Sequence, residues 1–100
     1  MPTEQEIEAE IVAKAKVAPR LSPEHIDAQI VGETYTTLPS GKVIVCELTL
    51  KNGFTVRGEA AVVSKENFDE EIGRKISRTN ARQKIWELEG YALQNRLAGI

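Results

Sequence analysis

Residues 67–86 form the longest uninterrupted helical pattern in the chain, and they constrain the fold more than any other stretch. Acids crowd the start at Asp69, Glu70 and Glu71, where exposed amides and the positive end of a helix dipole favour negative charge. Bases follow at Arg74, Lys75, Arg78, Arg82 and Lys84, an order that favours a helix by electrostatics alone. Phe68, Ile72 and Ile76 supply an apolar stripe continuing through Asn80, flanked at four-residue steps by Gly73, Ser77 and Ala81. Gly73 costs a helix roughly 1 kcal/mol relative to alanine, so its expected use is close packing on a sheet. On a helical wheel Arg74, Lys75, Arg78 and Arg82 gather on the opposite side, as one basic, solvent-facing ridge. After Trp86 the stripe shifts to Tyr91, Leu93 and Leu97, with Glu89 and Gly90 between. A break near residues 86–90 is expected, then a terminal helix to residue 98 with Gly99 past its end.

What such a helix packs on lies upstream. From Ile30 the apolar period becomes two, and residues 30–38, 43–50 and 54–63 read as three strands. They are separated by Pro39-Ser40-Gly41 and Lys51-Asn52-Gly53, both good turn chemistry. A three-residue loop at 51–53, with Gly53 left-handed, sets Leu48 opposite Val56 and Cys46 opposite Gly58. One face then carries Ile44, Cys46, Leu48, Leu50, Phe54, Val56, Ala60 and Val62. The other carries Val45, Glu47, Thr49, Thr55, Arg57 and Glu59. Cys46, Gly58 and Ala60 are small and adjacent in this scheme, leaving a trough where a helix backbone can approach closely. The first loop counts as three or four residues, and each choice turns a different side of Tyr35 outward.

At the N-terminus, Thr3 and Glu6 have capping-box spacing, and Ile7, Ile11, Ala15 and Ala18 make a narrow stripe on a helix of residues 3–17 that docks loosely. Ser22-Pro23 opens a second short helix over residues 23–29, and Ser64 is a candidate cap for the return to helix. The division expected is an N-terminal helix over 1–20 and a single α+β domain over 21–100. Its fold is a three-stranded antiparallel meander packed on a long C-terminal helix, with one or two short N-terminal helices.

Composition narrows the function classes. One hundred residues, 41% hydrophobic and 28% charged, suit one globular domain with no room for a second. The net charge of −2 hides an asymmetry: residues 74–84 carry five bases and no acid, leaving −7 elsewhere, part of it at Glu4, Glu6, Glu8 and Glu10. Cys46 is the only cysteine, which excludes an intrachain disulfide and fits a reducing compartment. The N-terminus lacks the basic start and apolar run of a signal peptide, and no apolar run approaches the roughly 18 residues of a membrane span, so a cytoplasmic protein without a membrane partner is expected.

Several motifs then point to a family. Ala18-Pro19-Arg20, the strand pair over residues 46–56, the run at 67–76, Lys84-Ile85-Trp86 and Leu88-Glu89-Gly90-Tyr91 resemble the gene-49/gene-66 family of small proteins of tailed phages and prophages. The likeness extends over residues 18–98. It implies a phage-encoded, intracellular, non-virion accessory protein, and it implies no activity. Members resembling this chain usually have a proline directly after the tryptophan. Glu87 stands there, which allows the last helix to run on more continuously, with any kink left to Gly90.

Chemistry is sparse. The candidates for catalysis are Cys46, His25, Tyr35, Glu47 and Glu59, and no pair among them has a recognisable spacing, although Glu47 and Glu59 are placed to neighbour each other across two strands. No motif calls for a cofactor or a metal, and no enzyme is expected. Arg74, Lys75, Arg78 and Arg82, with Arg57 on the sheet, form the candidate binding surface. The leading expectation is stoichiometric binding to a host or phage protein by a monomer or homodimer, with the sheet's second face only partly covered by the first helix. The alternative is binding of nucleic acid or a phosphorylated nucleotide by the basic helix face.

Overall fold

Period-two patterning over the middle of the chain folds into an antiparallel meander. In the computed structural model, which describes residues 2–14 and 18–100, strands β1 (Ile30–Thr37), β2 (Val43–Leu50) and β3 (Thr55–Ala61) form a sheet in the order β1-β2-β3. Gly53 has φ 89°, the left-handed backbone that glycine adopts without a Cβ clash, and its amide donates to the Leu50 carbonyl at 2.9 Å. The three-residue loop therefore pairs Leu48 with Val56 and Cys46 with Gly58, as expected from matching apolar faces. The first connection spans residues 39–42, since the Leu38 amide donates to the Val43 carbonyl at 2.8 Å. Tyr35 thus sits opposite Cys46, on the core side.

Along β2, Ile44, Cys46, Leu48 and Leu50 are buried, joined by Val56 from β3. Phe54, expected on this face, is 55% exposed at the hairpin tip, and Ala60 and Val62 are half-buried. Helix α3 (Glu70–Ala98) covers the face. Its cap is Asp69, whose Oδ1 accepts from the Ile72 amide at 3.0 Å. Ser64 precedes only a short 3-10 turn, Lys65–Asn67, and makes no side-chain capping bond. The helix ends at Gly99, left-handed with φ 76°.

Two expectations about α3 are corrected. The face set on the sheet is not the isoleucine stripe: Gly73, Ser77, Ala81 and Ile85 are buried, whereas Ile72 and Ile76 are 54% and 48% exposed. The reason lies in Gly58, where an added Cβ would meet the Ala81 amide nitrogen at 2.2 Å and the Ser77 carbonyl oxygen at 2.5 Å. The helix backbone rests on the sheet backbone, and only small side chains leave room for that approach. The second correction concerns residues 86–90, where α3 continues unbroken through Glu87 and Gly90. The stripe changes there because the packed contact ends at Ile85, and the change marks the limit of the sheet below. Leu88 and Ala92 still flank Leu50 and Phe54 at the hairpin tip, and the last turns run beyond it.

Helix α1 (Glu4–Ala13) begins with the expected capping box between Thr3 and Glu6. It contains no buried residue; Ile7 is 45% exposed and Ile11 half-buried. Ala15, and with it the expected end of this helix at residue 17, lies outside the described residues. Helix α2 (Pro23–Ala28) starts at Ser22, whose Oγ accepts from the His25 amide at 3.2 Å, and it drives Ile26 fully into the core. α1 docks on α2 and on Arg82 and Trp86 of α3 rather than over the polar sheet face.

Candidate functional site

The small stripe on the sheet divides the rest of α3 into two flanks. On the side toward β1 and α2 lie Arg74, Arg78, Arg82 and Trp86, each one position after a buried residue; on the side toward β3 lie Ile72, Ile76 and Asn80, each one position before. Arg78 and Arg82 therefore meet acids of other elements, whereas Arg74 and Lys75 pair with acids of α3 itself and stay mostly exposed to solvent. Arg78 Nε donates to Glu33 Oε1 at 3.0 Å. Arg74 pairs with Glu70 at 3.0 Å and its guanidinium lies 4.8 Å above the centre of the Tyr35 ring. Lys75 pairs with Glu71 at 3.5 Å, and Arg57 pairs across strands with Glu47 at 3.7 Å. Each of the five candidate cations thus has a carboxylate beside it, which cancels much of the local field.

Arg82 is the most enclosed of them, its side chain only 13% exposed. Its Nε donates to Asp27 Oδ1 at 2.7 Å, and Nη2 also donates to the Pro23 carbonyl at 3.3 Å. The remaining edge forks onto Glu4, Nη1 to Oε2 at 2.7 Å and Nη2 to Oε1 at 2.9 Å. Trp86 Nε1 donates to the same Glu4 oxygen at 3.3 Å. The Glu4 hydrogen bonds, and then that of Asp27, raise the Arg82 pKa despite the burial that opposes them, so it stays a cation at any working pH. Beside this node a cleft of about 440 Å³ runs between α1 and α3, lined by Ile7, Ile11, Leu21, Pro23, Gln83 and Trp86. A second tether of α1 is Glu8, whose two oxygens accept from Arg20 at 2.8 and 3.0 Å.

The candidate catalytic groups are dispersed, with one exception. Tyr35 and Cys46 are neighbours, but Cys46 is fully buried and burial pushes its thiol above the ordinary range. Burial, followed by the hydrogen bond that the phenol donates to Glu33 at 2.8 Å, raises Tyr35 to about 12. Neither group is a base or nucleophile near neutral pH. His25 lies 3.6 Å from Glu89, Glu47 faces Arg57, and Glu59 faces Val45 rather than Glu47. Among the described residues no cluster of His, Cys, Asp or Glu is placed to hold a metal, and no helix is long and apolar enough to cross a membrane.

The Tyr35 environment has a measurable sign. Its folded pKa lies above the ordinary 10, so the stabilisation is complete below pH 10 and is lost as pH rises toward 12. Titration of tyrosinate absorbance should show a phase near pH 12 that disappears in Tyr35→Phe. Persistence of that phase in the variant would assign it elsewhere.

The β3 flank is different in kind. Ile72 and Ile76, with Phe68 and residues 60–62, line a shallow apolar groove of about 90 Å³ between α3 and the sheet. β3 is an edge strand, and Asn80 Nδ2 covers part of that edge by donating to the Glu59 carbonyl at 2.9 Å.

With the geometry in place, comparison with known families is decisive for 77 residues: the model of the phage protein (N4 Gp49/phage Sf6 gene 66) family matches residues 21–97. The chain belongs to this family. Comparison with curated proteins and with solved structures finds no match. Within the Gp49/gene 66 family match lie α2, the whole sheet and nearly all of α3, so Asp27, Arg82 and Trp86 belong to the family's part of the chain, whereas α1 and Glu4 precede it. Sequence reasoning missed Glu4 and Asp27 as partners of Arg82, and Trp86 as a second donor to Glu4. Glu4 and Arg82 are 78 positions apart, and no local spacing signals such a contact.

Proposed function

We propose that this Gp49/gene 66 family member acts by stoichiometric binding to a host or phage protein, through the flank of α3 beside the β3 edge. The observation that carries the reading is the exposure of Ile72 and Ile76, 54% and 48%, on the half of α3 packed on the sheet. Branched apolar side chains beside a groove and an edge strand favour a protein partner that buries them. Val63, 91% exposed at the end of the same edge, extends the apolar surface. The nucleic-acid reading is less well supported, because Arg74, Arg78 and Arg82 each already face a carboxylate.

The test is affinity capture from host lysate at moderate salt, comparing the native chain with an Ile72→Asp, Ile76→Asp double variant. A single partner recovered in near-equal molar amount by the native chain and lost by at least tenfold with the double variant is expected. Both side chains are half exposed, so the double variant should keep its fold, checked by circular dichroism, at a loss of about 1–3 kcal/mol. Equal recovery by both proteins would remove this surface from consideration. Capture of nucleic acid that falls steeply with salt and with alanine at Arg74, Arg78 and Arg82 would replace the reading with the other one.

A further inference from the structure

The node at Arg82 has the construction of a receptor and its occupant. Asp27 and the Pro23 carbonyl, both on α2, fix the guanidinium from behind, at Nε and on one side of Nη2. That leaves the Nη edge, together with the Trp86 indole N–H, aimed at one carboxylate. All of these donors, and the supports behind Arg82, come from α2 and α3. The apolar floor, Leu21, Pro23 and Trp86, is likewise outside α1.

The occupant is attached differently. α1 buries no residue, and it meets the cleft through Glu4, Ile7 and Ile11, which recur on one helical face at steps of three and four. Its other side-chain tether is the bidentate pair of Glu8 with Arg20, a residue that also lies before the family match. The family match begins at residue 21, so the receptor lies within it and the occupant lies before it.

We infer that the cleft formed by Arg82, Trp86, Leu21 and Pro23 is a binding site for an acidic amphipathic helix of a partner protein, and that α1 fills it in cis as that helix's competitor. The ligand is defined by chemistry: a helix with a carboxylate at one position and branched apolar residues three and seven positions later. Charge complementarity favours such a partner, since the receptor presents a fixed, enclosed cation and an N–H donor with no carboxylate of its own on the open edge. The site is separate from the Ile72 and Ile76 surface, so either reading can fail without the other.

Trp86 is the only tryptophan and reports directly on the site. In the full-length Glu4→Lys protein, like charge at Arg82 should release α1 and shift Trp86 emission to the red. A synthetic peptide of residues 2–14 added in trans should reverse the shift saturably, and the same peptide with Glu4→Gln should bind about tenfold more weakly, because it loses the charge-assisted pair. Changing the peptide leaves the folding of the protein untouched, so the comparison is independent of any effect of Glu4→Lys on stability. An unshifted emission in Glu4→Lys, no response to peptide, or equal binding of the two peptides would overturn the inference. So would a native dimer that Glu4→Lys converts to monomer, since the occupant would then be a second copy of this chain.

Discussion

Replacing Gly58 by alanine is expected to cost about 3 kcal/mol or more, lowering Tm by roughly 10–20 °C in a domain of this size. Most core enlargements push on a side chain that can turn aside. Here the new methyl carbon meets backbone, the Ala81 nitrogen at 2.2 Å, the Ser77 oxygen at 2.5 Å and the Asn80 carbonyl carbon at 2.7 Å. Relief requires lifting α3 from the sheet, which opens gaps around Cys46, Leu48 and Ile85 in the same layer. Gly90 is the internal control. It lies in the same helix with nothing within 4 Å of a Cβ, so Gly90→Ala should stabilise the protein by about 0.5–1 kcal/mol. Thermal unfolding of the two variants beside the native chain decides the matter. A Gly58→Ala protein within 1 kcal/mol or so of native would mean that the helix does not sit on that backbone.

Ile26→Ala should have the next largest effect, a loss of about 3 kcal/mol with a change at a distant site. Ile26 is fully buried and packs in the cluster of Leu48, Leu50 and Ile85. It also anchors a helix of six residues, far too short to persist without tertiary contact. Loosening α2 moves Asp27 and the Pro23 carbonyl away from Arg82, and the guanidinium loses its supports. Denaturant unfolding should therefore show a lowered midpoint, and Trp86 emission should shift already in the folded state. A shift in stability with unchanged emission would mean that Arg82 and Trp86 hold their arrangement without α2.

These two positions also show what was legible in the residues. The β2–β3 hairpin was, because a three-residue loop and period-two alternation leave a single register that buries one face, and Leu48 with Val56 follows from that; the register of β1 was not, because its loop counts as three or four residues. The trough at Gly58 was legible for the same reason. The face of α3 that fills it was only half so: an apolar wheel ranks Ile72 and Ile76 above Gly73, Ser77 and Ala81, whereas contact between backbones selects for the absence of side-chain volume. The apparent break after Trp86 was a tertiary effect read as a local one, since the fully buried face ends at Ile85 while the helix continues through Ala98. For the basic ridge, the exposure of Arg74 and Lys75 was legible and the enclosure of Arg82 was not. Charge on a wheel says which way a side chain points, but the acids that neutralise Arg78 and Arg82 come from β1, α2 and α1, and only the folded chain brings them together.

The reach of α3 past the sheet has a consequence in time as well as in shape. A helix of 29 residues is about 43 Å long, its fully buried positions end at Ile85, and past Ala92, which still flanks the hairpin tip, little lies beneath it to share in cooperative unfolding. Its amides should open by fraying from the Gly99 end, while those between Gly73 and Ile85 should open only with the whole domain. Hydrogen exchange along this one element should accordingly fall by orders of magnitude from Leu97 back toward Ala81, and a partner that grips the free end would be seen first as slowed exchange there.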